Sequence, residues 1–350
     1  MKMNNYLITD EHDMDYIWDV VQNQQIIFHP NISPYGKFDY KKFFEIKRMK
    51  PFILFVDRNI LSGLIKFCEQ GNLQDKGESQ LLGIIMTWAI MNDISISAGP
   101  AIQEGATQIK NQKQALIELQ KFLDAFDAYP GQTWLNIAKG QETEVPPLRL
   151  SYVPAKNISV GYANGCDHYY MTVASMLHTV GLYRNHNMKP VDKIIEFMKW
   201  TYDNLLVSQY VLVYVTLLLG NQENIKAPKG ANSNQLSRIM AGCENQAWDL
   251  TYLSNWSTLY GNTENYAEEF LFATNDILLK RIFINTHGPN GINGLFFEVF
   301  SKKDYNKLCH FVEDQMENRV KPDFGTNPRK YFQNLIEKEK GNIVRIIENK

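Results

Sequence analysis

The sequence predicts an α/β protein built on a central parallel sheet. Three observations lead there. "PFILFVD" (51–57) is a continuous apolar run of the kind that fills a parallel strand buried on both faces. A helical stretch follows it, and "ISISAG" (94–99) and "FLFAT" (270–274) read as further short strands, each leading into another helical pattern. The composition is that of a folded domain, with 44% hydrophobic and 21% charged residues.

In chain order, "MDYIWDVVQNQQIIF" reads as a short helix or a strand pair, and "FDYKKFFEIKRMKP" as an amphipathic basic helix. After the first strand, "RNILSGLIKFCEQG" predicts a helix that stops at Gly71. "ESQLLGIIMTWAIMND" (78–93) is another helix. Pro100 stands at a plausible first helical position of a single long helix over 100–126. From 127 the pattern changes. "YPGQTW", "EVPPLRL" and "YVPAKN" read as loops, followed by helices over 167–183, 190–206 and within 204–220, and by the polar linker "NQENIKAPKGANSN" (221–234). "GCENQAWDLTYLSNWSTLYGN" (242–262) and "ILLKRIF" are helical, "GLFFEVF" (294–300) reads as a last strand, and 301–350 as peripheral helices. The organisation expected is an N-terminal extension (1–50), a core in two halves (51–126 and 241–304), a mostly helical insertion (127–240) and a C-terminal helical extension (305–350). No internal repeat is evident.

The bulk numbers exclude some classes. A net charge of −2 gives no global basic field for nucleic acid, so such a partner needs a local patch. Lys41, Lys42, Lys47, Arg48 and Lys50 form one candidate, although a solvated helix face explains them as well. The four cysteines are widely spaced and form no C-x-x-C pair, which argues against a disulfide scaffold or zinc ribbon and suits the cytoplasm. The opening residues contain no apolar leader-like run. The most apolar stretch, 204–220, falls short of a typical span of about 20 apolar residues, so a buried core helix is expected and no membrane partner.

Four acids stand where chemistry is expected. Asp57 ends the first strand, Glu104 lies in the first turns after "ISIS", and Asp276 follows "FLFAT". Sites in open parallel sheets form at the carboxyl ends of the strands. Asp249 is on a helix whose Asn245, Tyr252, Leu253, Trp256 and Tyr260 fall within about 60° of it, so its carboxylate is expected to point inward with a partner. Each acid also has an ordinary explanation: Asp57 and Asp276 as helix caps, Glu104 as a first-turn acid facing the helix dipole, and Asp249 as the partner of a buried arginine or a helix end.

"ILFVDRNIL", "ISISAGPAIQEGA", "NQAWDLTYL" and "FLFATNDILLKRI" together resemble the PIN-domain family of metal-dependent nucleases. Asp57 with Asn59, Glu104, Asp249, and Thr274 with Asp276 fall on the family's acidic positions in order, over roughly 51–110 and 241–300. The long stretch between the second and third acids departs from compact members. The resemblance implies a three-layer α/β/α fold and an endoribonuclease whose Mg²⁺ or Mn²⁺ is held by Asp57, Glu104, Asp249 and Asp276. Hard cations prefer such oxygen ligands. Asn59, Asn245 and Thr274 would orient waters or carboxylates, and hydrolysis would leave a 5′-phosphate. RNA is the expected partner, DNA the alternative nucleic acid, and a second copy of the chain or a regulatory protein a further partner. The competing reading keeps the fold and covers the site, giving a non-catalytic RNA- or protein-binding module.

Other chemistry fits less well. The chain has no G-x-x-x-x-G-K-[ST] and no G-x-G-x-x-G. A phosphatase with an aspartyl nucleophile would want an acid where Asn59 stands. Cys166, His168 and His178 offer a weaker metal or nucleophile set, with Asp167 more simply a helix N-cap, and Tyr169, Tyr170, Tyr183 and Arg184 are candidates for stacking on bases.

Overall fold

The structure is a computed structural model that describes residues 9–156, 161–163 and 165–349. Residues 1–8, part of the stretch read for a leader, lie outside the described residues, as do Asn157 of "YVPAKN" and Asn164 beside Cys166. The chain divides into two compact units, Met1–Gly165 with Trp256–Asp276, and Cys166–Asn255 with Ile277–Lys350. These boundaries differ from those drawn on composition.

The first unit holds a four-stranded sheet in the order β1-β4-β2-β3. Its strands are β1 (Ile27–Phe28), β2 (Phe52–Val56), β3 (Ser95–Ser97) and β4 (Glu269–Ala273). β2 runs parallel to both β3 and β4, whereas β1 pairs antiparallel with β4. The sheet is therefore mixed, and the all-parallel expectation holds for three of its strands. Central position explains composition here. Every residue of β4 is buried, β2 buries Phe52, Leu54 and Val56, and the edge strand β3 is short and polar.

The helices of this unit follow from caps and stops. α1 (Glu11–Gln24) starts on Asp10 and α2 (Tyr40–Lys47) on Asp39. α3 (Arg58–Gln70) starts on Asp57 and ends at Gly71, whose φ of 80° admits few other residues. A side chain at Gly71 would also meet the carbonyl of Val145. α4 (Lys76–Met91) is capped by Asp75. The single helix expected over 100–126 is two, α5 (Gly99–Ile109) and α6 (Gln112–Phe126). Lys110 adopts the left-handed conformation and Asn111 caps the next helix, a local stop that competes with helix continuation. "YPGQTW" is likewise no loop. It enters α7 (Gly131–Ala138), whose Trp134, Leu135, Ile137 and Ala138 are buried.

The second unit is helical: α8 (Asp167–Arg184), α9 (Pro190–Asn204), α10 (Gln209–Leu219), most of α11 (Leu236–Gly261), α12 (Ile277–His287), α13 (Gly291–Val299), α14 (Lys302–Asn318) and α15 (Pro328–Glu348). α10 is apolar on all sides because every residue from Tyr210 to Leu219 is buried. No described helix is long and apolar enough to cross a membrane. "GLFFEVF" belongs to helix α13 and not to a strand. Its buried Leu295 and Phe296 with Ile292 and Val299 follow helical spacing, while Phe297 is exposed. Nor is α15 peripheral: it packs along α8 and buries Phe332, Leu335, Ile336 and Ile343.

Candidate active site

The parallel register of β2 and β4 sets Val56 beside Ala273. The next residues on the two strands are Asp57 and Thr274, and the Asp57 N–H extends the ladder to the Ala273 carbonyl at 3.2 Å. Asp57 is 2% exposed. Its Oδ1 accepts from the Ile60 N–H at 2.8 Å, the helix cap expected of it. Its Oδ2 accepts from the Thr274 hydroxyl at 2.5 Å. That hydroxyl in turn accepts from the Asp276 N–H at 3.0 Å. Burial pushes the Asp57 carboxyl up to about 6; the Thr274 and Ile60 hydrogen bonds oppose this, and the nearby Asp276 carboxylate adds to it.

Asp57, Thr274 and Asp276 therefore form one constellation at the carboxyl edge of the sheet. Asn59 follows in the first turn of α3, and its N–H also favours the Asp57 carboxylate. Glu104 is buried on α5, a helix packed on β2, and accepts from Gln108 Nε2 at 3.2 Å. Arg58 reaches across α5 to the Ala101 carbonyl at 3.3 Å and pairs with Glu118 at 2.7 Å.

Asp249 belongs to the second unit. It is half-buried, accepts from Gln246 Nε2 at 3.2 Å, and its charge acts on the buried Tyr214 phenol. Asn245, expected inward beside it, is exposed. Nearly the whole girth of α11 is buried near its middle, including Trp248 and Leu250, so a single inward stripe does not describe it. Among the described residues no group of three or more His, Cys, Asp or Glu is arranged to hold a metal ion.

The basic set lies on and after α2. Lys41, Lys42 and Arg48 are exposed, Lys47 and Lys50 half-buried, and Lys50 donates to the Tyr266 carbonyl at 3.3 Å. In the second unit the Cys166 thiol contacts the Asn255 amide at 3.5 Å. Asp167 is the first residue of α8 and not its cap. Two base-stacking candidates are already occupied: Tyr169 stacks on Trp248 at 4.5 Å, and Arg184 is 4% exposed.

Two His–Glu pairings, one fully buried at its histidine and one half-buried there, escaped the sequence reading. His29 Nδ1 accepts from the Asn31 N–H at 3.2 Å, which leaves Nε2–H to donate to Glu269 at 3.1 Å. Burial lowers the His29 pKa, with Glu269 opposing. In the second unit, Glu339 accepts from Trp200 Nε1 at 3.1 Å and sits 3.2 Å from His178 Nδ1, while His178 stacks on Trp200 at 4.3 Å. Burial raises the Glu339 pKa, but its partners outweigh this and hold it low. Both pairs join residues more than 150 positions apart, a spacing that carries no local pattern.

Compared with known proteins, the chain matches no family model, no curated protein and no solved structure.

Proposed function

We propose that the chain is a metal-dependent endoribonuclease acting at the carboxyl edge of the first unit's sheet. One observation carries the reading: Asp57 and Asp276, from the ends of adjacent parallel strands, are linked through the Thr274 hydroxyl. Edges of this kind are where open α/β sheets bind ligands. The donor set suits Mg²⁺ or Mn²⁺ bound by one or two carboxylates, with waters completing the shell. Asp57 and Asp276 would hold the ion, Thr274 would fix Asp57, and Glu104 would join through water. When bound, the cation supplies an activated water and charge stabilisation at the phosphorus. Assigning a three-layer PIN-like arrangement to the core belongs to this proposal. Lys41, Lys42, Lys47, Arg48 and Lys50 would take the RNA backbone, in a reducing cytoplasmic setting.

A second reading is favoured by a different observation. Both oxygens of Asp57 already accept hydrogen bonds, and no three-acid group is present among the described residues. On that reading the same edge is a non-catalytic module for RNA or a protein partner.

The test uses labelled single-stranded RNA with Mn²⁺ or Mg²⁺, the intact chain, and an Asp57→Asn/Asp276→Asn variant. Cutting by the intact chain that the variant loses is expected. Equal cutting by both, or none by either, removes the catalytic proposal; retention of RNA without cutting then supports the module.

A further inference from the structure

A guanidinium buried without a carboxylate is costly unless something compensates it. Arg184, at the end of α8, is such a group. Its Nη1 donates to the carbonyls of Ala231 at 3.3 Å and Ser233 at 2.8 Å, and its Nη2 to Asn234 Oδ1 at 3.3 Å. All three acceptors are neutral. Nε is buried with no partner among the described residues, and Arg184 enters no ion pair there.

These bonds fix the backbone of the loop between α10 and α11. Every peptide in it is trans, so a carbonyl aimed inward turns the following N–H outward. The Ala231 and Ser233 carbonyls face Arg184, and the Lys226 carbonyl accepts from the buried Tyr214 hydroxyl at 3.0 Å. The N–H groups of Asn232, Asn234 and Ala227 therefore point away from these buried donors, and none has a protein acceptor among the described residues. Gly242 on α11 lets the loop seat closely, because a Cβ there would overlap the Lys229 carbonyl.

On this loop lies an open cavity of about 580 Å³, lined among others by Tyr183, Gln222, Lys226, Lys229 and Asn232. Its size is that of a small-molecule site. Neither Lys226 nor Lys229 forms an ion pair among the described residues. Two acids stand near: Glu223 is exposed in this loop beside Gln222, and the charge of Asp249 acts on Tyr214; neither lines the cavity.

We infer that this loop is a binding site for a small phosphate-bearing ligand up to nucleotide size. Lys226 and Lys229 neutralise the phosphate as point charges. Outward amides supply donors, as backbone nests do for anions. Arg184 acts from behind, holding the carbonyls inward and adding fixed positive charge. Tyr183 offers an aromatic wall for the remainder of the ligand. The site lies wholly within the second unit and is independent of the proposed nuclease chemistry.

Calorimetry at constant ionic strength tests this with inorganic phosphate, AMP and a short single-stranded RNA. The intact chain is compared with Lys226→Ala/Lys229→Ala and with Lys199→Ala/Lys302→Ala, which removes the same charge elsewhere. Saturable AMP binding at about 1 mM or tighter is expected, weakened at least about tenfold in the first variant and unchanged in the second. No binding of phosphate or AMP by the intact chain overturns the inference. So does equal binding by Lys226→Ala/Lys229→Ala, equal weakening in the control variant, or binding confined to RNA.

Discussion

At the scale of single residues, Asp57 sets a pH dependence whose sign can be worked out. Burial pushes its pKa from the ordinary 3.8 up to about 6 in the folded chain. The folded state therefore holds the proton more tightly, and this stabilisation is complete below pH 3.8 and lost as pH rises through 6. The difference amounts to roughly 3 kcal/mol at neutral pH. With chelator present, Asp57→Asn should gain stability relative to wild type between pH 4 and 7.5 by about that amount, measured by urea unfolding. A gap that does not move with pH would show that the carboxyl is not held neutral. Thr274→Val removes the hydroxyl from Asp57 Oδ2 and should cost about 1–3 kcal/mol at pH 7.5, with Thr274→Ser costing less.

His29 works in the opposite direction. Its folded pKa lies below 6.5, so the stability tied to the neutral ring is present above pH 6.5 and lost as pH falls below it. His29→Gln should flatten that part of the acid-unfolding profile; an unchanged profile would exclude His29 as its source. The two residues differ in how visible they were. Asp57 could be read because an apolar run ended on it, and Thr274 because it followed another such run. His29 and Glu269 meet only through the antiparallel pairing of β1, a two-residue strand too short to leave a period-2 signature.

Among elements, legibility followed the strength of local patterning. α3 appeared between the cap and stop that its sequence offered, and α4, α8 and α9 close to where their helical stretches were read, although Cys166 and not Asp167 precedes α8. α13 was misread because "GLFFEVF" is apolar enough for either structure, and only its burial pattern separates the two. α7 was missed because "YPGQTW" opens with turn residues although Trp134 anchors a helix behind them. The closeness of α4 and α7 depends on one position. A Cβ at Gly83 would lie 2.5 Å from the Ala138 nitrogen and 2.9 Å from the Trp134 carbonyl, both backbone atoms. Gly83→Ala should therefore cost about 1–3 kcal/mol. Gly341→Ala on α15 meets nothing within 4 Å and should gain about 0.5–1 kcal/mol from helix propensity. Thermal unfolding of both variants checks the contrast, and equal shifts would refute the packing argument.

Over the whole molecule, the sequence supported an α/β class and a helix-rich region, but not the way the chain is shared between units. The first unit takes Trp256–Asp276 from a point beyond most of the second. Within that segment Trp256 Nε1 donates to the Phe270 carbonyl at 3.0 Å, and Tyr260 stacks on Trp256 at 5.6 Å. No local signal states such membership, because it depends on which distant strand a segment joins. Asp249 shows the consequence: its helix α11 crosses from one unit to the other, so sequence order alone did not tell which unit would hold its carboxylate.

That arrangement also bears on how the protein is made. β4 lies between β1 and β2, yet β3 ends at Ser97 and β4 begins at Glu269. At about 5–20 residues per second on the ribosome, the early strands wait on the order of ten to thirty seconds for the strand that fills the middle of their sheet. During that interval the apolar edge of β2 has no neighbour on one side, an invitation to mispairing. A nascent chain stalled with residue 268 just emerged should be cleaved readily by protease within 52–56, and one stalled with residue 280 emerged should be protected. Equal protection would mean that the early strands close on something other than β4. The ordering of segments along the gene thus makes this sheet a late product of translation, and gives chaperones a defined period in which to act.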